Sequence, residues 1–184
     1  MTLTRLALAA AIAASGLSAA QASTGTVNFS GSIVTASCSI ASGEGGDASN
    51  IDMGQIGNAI LEASGNTGET APKPFTIKLE GCALGNGANT VSAKFTGVAS
   101  SADPKSFALN GTASGAHLVL TEKDGTKIGL GEDSVAQRFG RGDMTLEFAA
   151  KLKGDGSTSD DTPALIPIVP GSFTVPVTFA LTYN

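Results

Sequence analysis

The sequence predicts an all-β protein, an antiparallel β-sandwich, and three observations carry that prediction. Residues 171–184 alternate strictly between large apolar and mostly small polar side chains, as a strand with one buried face requires. Seven or eight short alternating segments are separated by turn signals, with no long amphipathic helical pattern. Glycine is abundant, at 24 residues, and together with frequent threonine, valine and serine it favours strands joined by turns.

The chain begins with the pattern of a secretory signal peptide. Arg5 precedes a short apolar run at residues 6–17, and Ala20-Gln21-Ala22 gives the A-x-A ending of a cleavage site. The run is too short for a spanning helix, and a membrane anchor is the alternative interpretation. We therefore expect residues 1–22 to be removed and the rest to fold as one domain outside the cytoplasm.

A second alternating segment, TGTVNFSGSIVT, precedes the first cysteine. Val27, Phe29 and Ile33 alternate with small polar residues. Gly25 and Gly31 lie in the same register as these apolar side chains. The segment is therefore a second alternating segment, similar in character to the last stretch of the chain.

Cys38 and Cys82 are the two cysteines of the sequence. In an oxidising compartment an isolated pair most often forms one disulfide, and we expect that pairing here. A reactive or metal-binding pair of thiols is the alternative, but it lacks partners, because His117 is the only histidine and no C-x-x-C spacing occurs. The net charge of −5 argues against nucleic acid and anionic membrane surfaces as partners.

The chain between the two alternating ends continues as short strands. Its clearest element is a hairpin, because Asp124-Gly125 separates two alternating runs. Residues 144–152 suit a helix or a strand, and their brevity and surroundings favour a strand. The expected strands are 51–60 (with a turn), 75–80, 91–97, 117–123, 126–130 and 144–152. The expected loops are 41–50, 62–74, 86–89, 100–115 (with Asn110-Gly111 as a breaker) and 154–162, and Cys82 is expected just past the strand at 75–80.

Candidate catalytic and metal-binding residues are few. His117 lacks a serine, aspartate or cysteine constellation in the sequence, so we expect a structural or surface histidine and no enzyme activity. The acidic residues of the loops match no calcium-binding spacing, which favours solvated loops over a metal site. These acidic residues are Glu44, Asp47, Asp155, Asp160 and Asp161. We expect no cofactor and no metal.

Arg141-Gly142-Asp143 spells the integrin-binding tripeptide. Three-residue matches are common by chance, and these residues also suit a turn before the strand at 144–152. We expect the turn, and the sequence does not tell whether the tripeptide has a binding role.

The two ends of the chain raise the question of how the sandwich is completed. We expect no strand after the last one, whose apolar face then borders an open edge that a soluble protein would normally cover. The alternating segment near the start could fold onto its own core, or it could insert into the groove of the next molecule. Head-to-tail insertion does not close on itself and would generate a fibre.

Taken together, these features resemble the chaperone–usher pilus (fimbrial) subunits and are similar to the type 1 and type 3 major pilins. Tyr183 is the penultimate residue and Gly171 is the fourteenth from the C-terminus, with the alternating strand between them. The other matches are the G-x-x-x-F-x-G pattern of Gly25, Phe29 and Gly31, the cysteines Cys38 and Cys82, and the FAAKL of residues 148–152. The likeness spans essentially the whole chain after the signal peptide.

The resemblance implies an incomplete immunoglobulin-like β-sandwich that lacks its last strand and has an N-terminal donor strand. It implies a structural subunit of a cell-surface fimbria, which supports adhesion and polymerises by donor-strand exchange, an established example of strand addition. The donor strand would contain Gly25, Val27, Phe29, Gly31 and Ile33. The acceptor groove and the chaperone contact would be formed by Gly171, Phe173, Val175, Val177, Phe179, Leu181 and Tyr183.

The resemblance also implies the partners and the route of export. The partners are neighbouring pilin subunits in a homopolymer, a periplasmic chaperone and an outer-membrane usher, and the protein passes through the periplasm to the cell surface. The expected organisation is a signal peptide at 1–22, an N-terminal extension at 23–35 and a pilin domain at 36–184. Cys38 and Cys82 would form the disulfide within one subunit.

Several alternatives stay open at the level of sequence. The extension is short ahead of Gly25, so the chain fits a major shaft subunit or a minor adaptor or terminator. A self-contained secreted adhesin or binding module is the alternative function, in which the first segment folds back into its own domain. A secreted hydrolase would need a nucleophile and base that the sequence does not supply. The host receptor and the fibre's helical geometry are not indicated.

Overall fold

The computed structural model describes residues 26–31, 33, 36–43, 45–47, 49–84, 89–158 and 164–184. The expected signal peptide, Gly25 and most of the turn expected at 86–89 lie outside these residues. The chain divides between Val34 and Thr35 into two units, which are described separately. In the first unit, residues 26–31 and 33 contain no helix or strand. Over the described ranges, no helix has the length and hydrophobicity that crossing a bilayer requires.

The second unit contains one helix and eleven strands among its described residues. The helix, α1, is Asn58–Asn66. The strands are β1 Ser39–Ile40, β2 Lys73–Cys82, β3 Thr90–Thr96, β4 Phe107–Ala108, β5 Asn110–Gly111, β6 Ala116–Glu122, β7 Lys127–Ile128, β8 Gln137–Arg138, β9 Gly142–Gly154, β10 Phe173–Thr174 and β11 Thr178–Tyr183.

The strands pair antiparallel throughout and form two main sheets. The larger sheet has the order β1–β2–β9–β6–β4, with β7 beside β6. The smaller sheet has the order β11–β3–β8, and β10 pairs with β5 as a separate ribbon. Register in the larger sheet places Phe75 opposite Phe148 and Leu118 opposite Leu152, so β9 lies between two long neighbours.

The core lies between the two sheets. Phe95 of β3 meets Phe75 of β2 and Phe148 of β9 edge to face, with ring centroids 6.2 and 5.2 Å apart. Along β9, Leu146 and Phe148 are buried while Glu147 between them is exposed. Two antiparallel sheets packed face to face in this way form a β-sandwich, so the predicted fold class is confirmed.

Most of the predicted strands are present near their predicted positions. The hairpin around Asp124-Gly125 is confirmed, since Leu120 pairs with Ile128 and Gly125 has the left-handed φ of 92° that such a turn needs. The strand predicted at 144–152 is β9. Cys82 was expected after its strand, but it is the last residue of β2.

The strand predicted at 51–60 is wrong, and so is the first part of the loop predicted at 62–74. Residues 51–57 have no regular structure, and α1 begins at Asn58. Alanine, leucine and glutamate in the first turn favour a helix, and buried Leu61 anchors it to the core. Regular helical geometry stops before Ala63, because Ala63, Ser64 and Gly65 have non-helical φ and ψ angles, so the regular part of α1 is little longer than a turn.

Two predictions near the C-terminal segment also need correction. Asn110-Gly111 is not a chain breaker but strand β5, and Gly111 lies opposite Phe173. A β-carbon on Gly111 would lie 2.2 Å from the carbonyl oxygen of Ser172, so only glycine allows this close pairing. The single strand predicted at 171–184 is split into β10 and β11, with Pro176, which has no N–H to donate, in the gap.

Candidate functional site

An open groove runs along the C-terminal segment of the second unit. It encloses a cavity of about 1120 Å³ between residues 171–179 on one side and residues 46, 47 and 49–54 on the other. The floor of the groove is apolar and belongs to the core. Its floor residues are Phe75, Ile77, Phe95, Leu118, Leu120 and Ala150.

The first wall of the groove is the C-terminal segment that the sequence singled out. Phe173, Val175, Val177 and Phe179 are half-buried and line the cavity, while the residues between them are exposed. The alternation therefore continues through the gap between β10 and β11. Strand β11 has β3 as its one strand neighbour in the described part of the chain. Its other backbone edge is thus open to a further strand.

Gly171 stands where this wall begins. A β-carbon at Gly171 would lie 2.5 Å from Thr112 Oγ1 and 2.6 Å from the backbone nitrogen of Ala113. The amides of Thr112 and Ala113 both donate to the carbonyl oxygen of Ser172, at 2.9 and 3.1 Å. Close backbone approach therefore fixes the start of the wall, and glycine permits it.

The second wall was missed by sequence analysis. Among the described residues, 49–56 make no backbone-to-backbone hydrogen bond and belong to no strand. Ile51 and Met53 line the cavity, so apolar residues two apart face the groove here as well. This spacing was visible in the sequence, but it was interpreted as an ordinary strand. The groove therefore has an unpaired backbone on both sides.

A second, smaller cavity continues the groove at its Gly171 end. It has a volume of about 420 Å³ and shares Gly54, Gly171 and Phe173 with the first cavity. Leu61 of α1 and Ile168 contribute apolar surface to it. The two cavities thus form one elongated apolar depression.

The last two residues of the predicted acceptor set lie beyond the cavity. Leu181 pairs with Ala93 of β3, and Tyr183 pairs with Val91. The Tyr183 ring packs edge to face on Phe139, with centroids 5.8 Å apart, and its hydroxyl donates to the carbonyl oxygen of Cys38 at 3.5 Å. Burial raises the pKa of the Tyr183 hydroxyl. Tyr183 therefore anchors the end of the wall.

The disulfide predicted between Cys38 and Cys82 is confirmed, with the two sulfur atoms 2.16 Å apart. It lies beside the pairing of β1 with β2, where Ser39 is opposite Glu80. The bond therefore holds the chain that enters the domain to the end of a long core strand.

The predicted donor residues lie in the first unit, apart from Gly25, which is outside the described residues. The side chains of Val27, Phe29 and Ile33 are 74%, 93% and 103% exposed. Gly31 has no atom within 4 Å of the position of a β-carbon. Three large apolar side chains are thus exposed together in one short segment, which is unusual for a folded protein.

The remaining candidate residues that the structure describes include His117, Asp47 and Asp155. His117 is buried, with Nδ1 2.7 Å from Asp155 Oδ1. Asp47 accepts a hydrogen bond from the amide of Gly43, whereas the other loop acids Glu44, Asp160 and Asp161 are outside the described residues. In the part of the chain that is described, no group of three or more acidic, histidine or cysteine side chains is arranged to hold a metal ion.

The tripeptide Arg141-Gly142-Asp143 is exposed at the start of β9. Gly142 has a left-handed φ of 99°, which suits the expected bend, and it already belongs to the strand. The carboxylate of Asp143 accepts a hydrogen bond from the Gly81 amide at 3.0 Å. The Asp143 carboxylate therefore already has a hydrogen-bond partner within the domain.

Comparison with known proteins identifies the groove-bearing domain. A family model described as "Fimbrial protein" matches residues 27–183. The chain belongs to this family. Fimbria A protein of Serratia marcescens is 40% identical over all of both chains. Major MR/P fimbria protein of Proteus mirabilis is 37% identical over 97% of this chain and 95% of the relative.

Solved structures of fimbrial subunits have the same fold. A chaperone–usher pilus structure, described in connection with rod uncoiling, matches with a TM-score of 0.70 and 26% identity over 88% of this chain and 96% of the other. The P pilus rod subunit PapA matches with a TM-score of 0.65 and 27% identity over 81% of this chain and all of PapA. The fimbrial protein described here is thus a structural subunit of a cell-surface fimbria and not an enzyme.

Proposed function

We propose that this fimbrial subunit polymerises by donor-strand exchange, in which residues 25–33 of one copy fill the groove of the next. The observation that carries the proposal is the apolar cavity of about 1120 Å³ bounded on both sides by unpaired backbone. An extended segment placed there gains main-chain hydrogen bonds on two edges and buries its alternate side chains in the floor.

The dimensions of the two segments agree. Residues 25–33 and the groove wall at 171–179 are nine residues each, which is about 30 Å when extended. Burial of Val27, Phe29 and Ile33 would contribute on the order of 5–9 kcal/mol, at about 1.5–3 kcal/mol for each large side chain. Main-chain pairing adds to this, so a joint without covalent bonds would be slow to open.

The antiparallel pairing of all the other strands supports an antiparallel donor. In that direction, Ile33 would lie towards Gly171 and Val27 towards Phe179. Each copy then has one groove and one donor segment, and head-to-tail contacts of this kind extend into a fibre.

The export route is the second part of the proposal. Residues 1–22 would direct the chain to the periplasm, residues 23–35 would form the extension, and residues 36–184 would form the domain. A periplasmic chaperone would cover the apolar groove until the usher passes the subunit on. A similar pilus of known structure is described as a chaperone–usher pilus, which supports these partners. Adhesion through the finished fimbria follows as its role at the cell surface.

A pair of charge substitutions tests the donor segment. Phe29→Asp places a carboxylate on the face that would enter the groove, whereas the control Asn28→Asp places the same charge on the opposite face. We expect Phe29→Asp to abolish fimbriae in electron micrographs and Asn28→Asp to leave them in near-normal numbers. The amount of folded subunit in the periplasm should be similar for both variants.

Deletion of Thr24 to Ile33 separates the proposal from a self-contained adhesin. We expect the shortened subunit to be recovered in complex with its chaperone but not in polymers. Fibres built from the deleted chain would refute donor-strand exchange by this segment. A stable monomer of the full chain with Phe29 protected from solvent would instead support the self-contained alternative.

A further inference from the structure

His117 lies in an environment that its sequence neighbours did not indicate. It is on β6, 3% exposed, and it is the only histidine in the protein. Its Nδ1 is 2.7 Å from Asp155 Oδ1, and its Nε2 is 3.9 Å from Asp103 Oδ2. The Nε2 atom is buried and has no hydrogen-bond partner among the described residues. Two aspartates thus flank one buried imidazole.

Asp103 is held in place from several directions. Its carboxylate accepts hydrogen bonds from the Lys127 ammonium, from Ser106 Oγ at 2.9 Å and from the Lys105 amide at 3.1 Å. The hydrogen bond from Lys127 is the main reason that the pKa of Asp103 falls to about 2. Asp103 is therefore an anion across the pH range in which imidazole ordinarily titrates.

The hydrogen bonds of the ring differ between its neutral and charged forms. An ionised Asp155 can only accept, so a neutral His117 must carry its proton on Nδ1. Nε2 is then a bare acceptor buried without a donor, which is an unfavourable arrangement. A second proton on Nε2 would face the Asp103 carboxylate, and both N–H groups of the charged ring would then point at an anion.

We propose that His117 is a proton-operated latch, which on protonation draws the loop of residues 100–106 against β6 through Asp103. The loop is connected to the core at several points. The Ser106 amide donates to the Asp103 carbonyl oxygen at 2.8 Å, and the Leu130 amide donates to the Lys105 carbonyl oxygen at 3.0 Å. A closer contact between His117 and Asp103 is therefore transmitted to the loop and to Leu130, which follows β7.

The other charges around the latch are already paired. Lys153 lies opposite His117 on β9, and its Nζ is 3.1 Å from Glu69 Oε1. Lys105 bonds Glu132 at 2.6 Å, on the surface. From β4, the residue opposite His117 is the uncharged Ala108. Among the described residues, the Lys127 ammonium of β7 is the lysine group that pairs with Asp103. The second carboxylate of the latch, Asp155, is left to the imidazole.

The test compares unfolding at two pH values. Fimbriae, or the chaperone-bound subunit if fimbriae do not form, are unfolded in denaturant at about pH 5.5 and about pH 8, on either side of the ordinary titration range of imidazole. We expect the native protein to unfold at least about fivefold more slowly at the lower pH, relative to His117→Gln, a change equivalent to roughly 1 kcal/mol. Asp103→Asn should remove the same difference, and the control Glu132→Gln should keep it.

Parallel pH profiles for the native protein and His117→Gln would overturn the latch. If the variants do not fold, hydrogen exchange on the native protein gives the answer. After correction for the intrinsic pH dependence of exchange, the amides of Ser100 and Ser106 should gain at least about fivefold more protection at about pH 5.5 than the control amide of Ser134. Equal changes in protection at the three amides would refute the proposal.

Discussion

Strand β9 and the C-terminal segment 171–183 have the same alternation in sequence and very different surroundings. In β9, Leu146, Phe148 and Leu152 are buried to within 1–2% exposure. In the C-terminal segment, the corresponding residues from Phe173 to Tyr183 are all half-buried. Both segments present one apolar face to the same core.

The difference arises from the neighbours of the two segments. β9 has β2 on one edge and β6 on the other, so the sheet continues past it on both sides. β11 has only β3 within the described residues, and the space beyond it is the groove. Alternation therefore reports which face of a strand is apolar, whereas the number of neighbours decides how far that face is buried. A segment with the pattern of a core strand and the burial of a surface strand marks an unfinished sheet.

The comparison predicts different consequences for removing one aromatic ring from each segment. Phe148→Ala, on β9 with a strand neighbour on each edge, should lower the free energy of unfolding by about 3–5 kcal/mol before and after assembly. Phe179→Ala in the groove should cost only about 1–2 kcal/mol in the unassembled subunit, because its ring is already partly in solvent. After assembly its cost should approach that of Phe148→Ala. Denaturant unfolding of the full chain before polymerisation, released from its chaperone, and of the fimbria measures both values.

Leu165→Ala is the matched control for this pair, because Leu165 is 61% exposed and should change stability by less than about 0.5 kcal/mol in either state. If Phe179→Ala cost the same in both states, the groove would not be filled on assembly and the two segments would not differ in function.

The disulfide gives the next largest expected effect. The bond closes a loop with a sequence separation of 44 residues, and its removal by Cys38→Ala with Cys82→Ala should cost about 4 kcal/mol on the chain-entropy estimate, within a usual range of about 2–5 kcal/mol. Because the Tyr183 hydroxyl donates a hydrogen bond to the Cys38 carbonyl oxygen, the loss of stability should extend to the C-terminal segment. Reducing agent should lower the unfolding midpoint of the native subunit and leave the double variant unchanged. A native subunit indifferent to reduction would contradict this.

Substitution of Glu122, which lies on β6 of the larger sheet, should give the smallest effect on the free energy of unfolding. It is 7% exposed, and burial raises its pKa, while its Oε1 accepts a hydrogen bond from the Val135 amide at 2.7 Å. A carboxyl group with a raised pKa in the folded state stabilises the fold fully below its unfolded value, about 4.5, and this contribution is lost as pH rises through the folded pKa. Glu122→Gln, which keeps the acceptor, should therefore gain up to about 1 kcal/mol at pH near 7 relative to pH near 4.

Unfolding of native and Glu122→Gln protein across this pH range measures the gain. The control is Glu147→Gln, since Glu147 lies on the exposed face of β9 and pairs with Lys123 at the surface. A pH-independent difference between native protein and Glu122→Gln would show that the buried carboxylate carries no charge penalty.

Patterns local to the sequence predicted much of the fold. Asp124-Gly125 and the alternation of residues 144–152 located a hairpin and the central strand, because turn chemistry and strand period are properties of adjacent residues. The single cysteine pair located the disulfide. One wall of the groove, from Gly171 to Phe179, was visible for the same reason.

What the sequence could not predict depends on distant residues. Residues 49–56 form the second wall only because β11 ends the sheet on the other side, and a period of two does not tell whether a partner is present. Asn110-Gly111 is a frequent turn pair, but tertiary pairing with Phe173 makes it a strand. His117 and Asp155 are brought together by the pairing of β6 with β9 across 38 positions, which no short motif records.

Gly171 shows how a residue without a side chain can set the width of a groove. Thr112 and Ala113 touch the backbone so closely that a methyl group at this position would act as a wedge between them and the C-terminal segment. The clash would occur at Gly171, a residue that lines both cavities. The width of the groove at this end is thus set by the hydrogen atom that glycine carries in place of a methyl group.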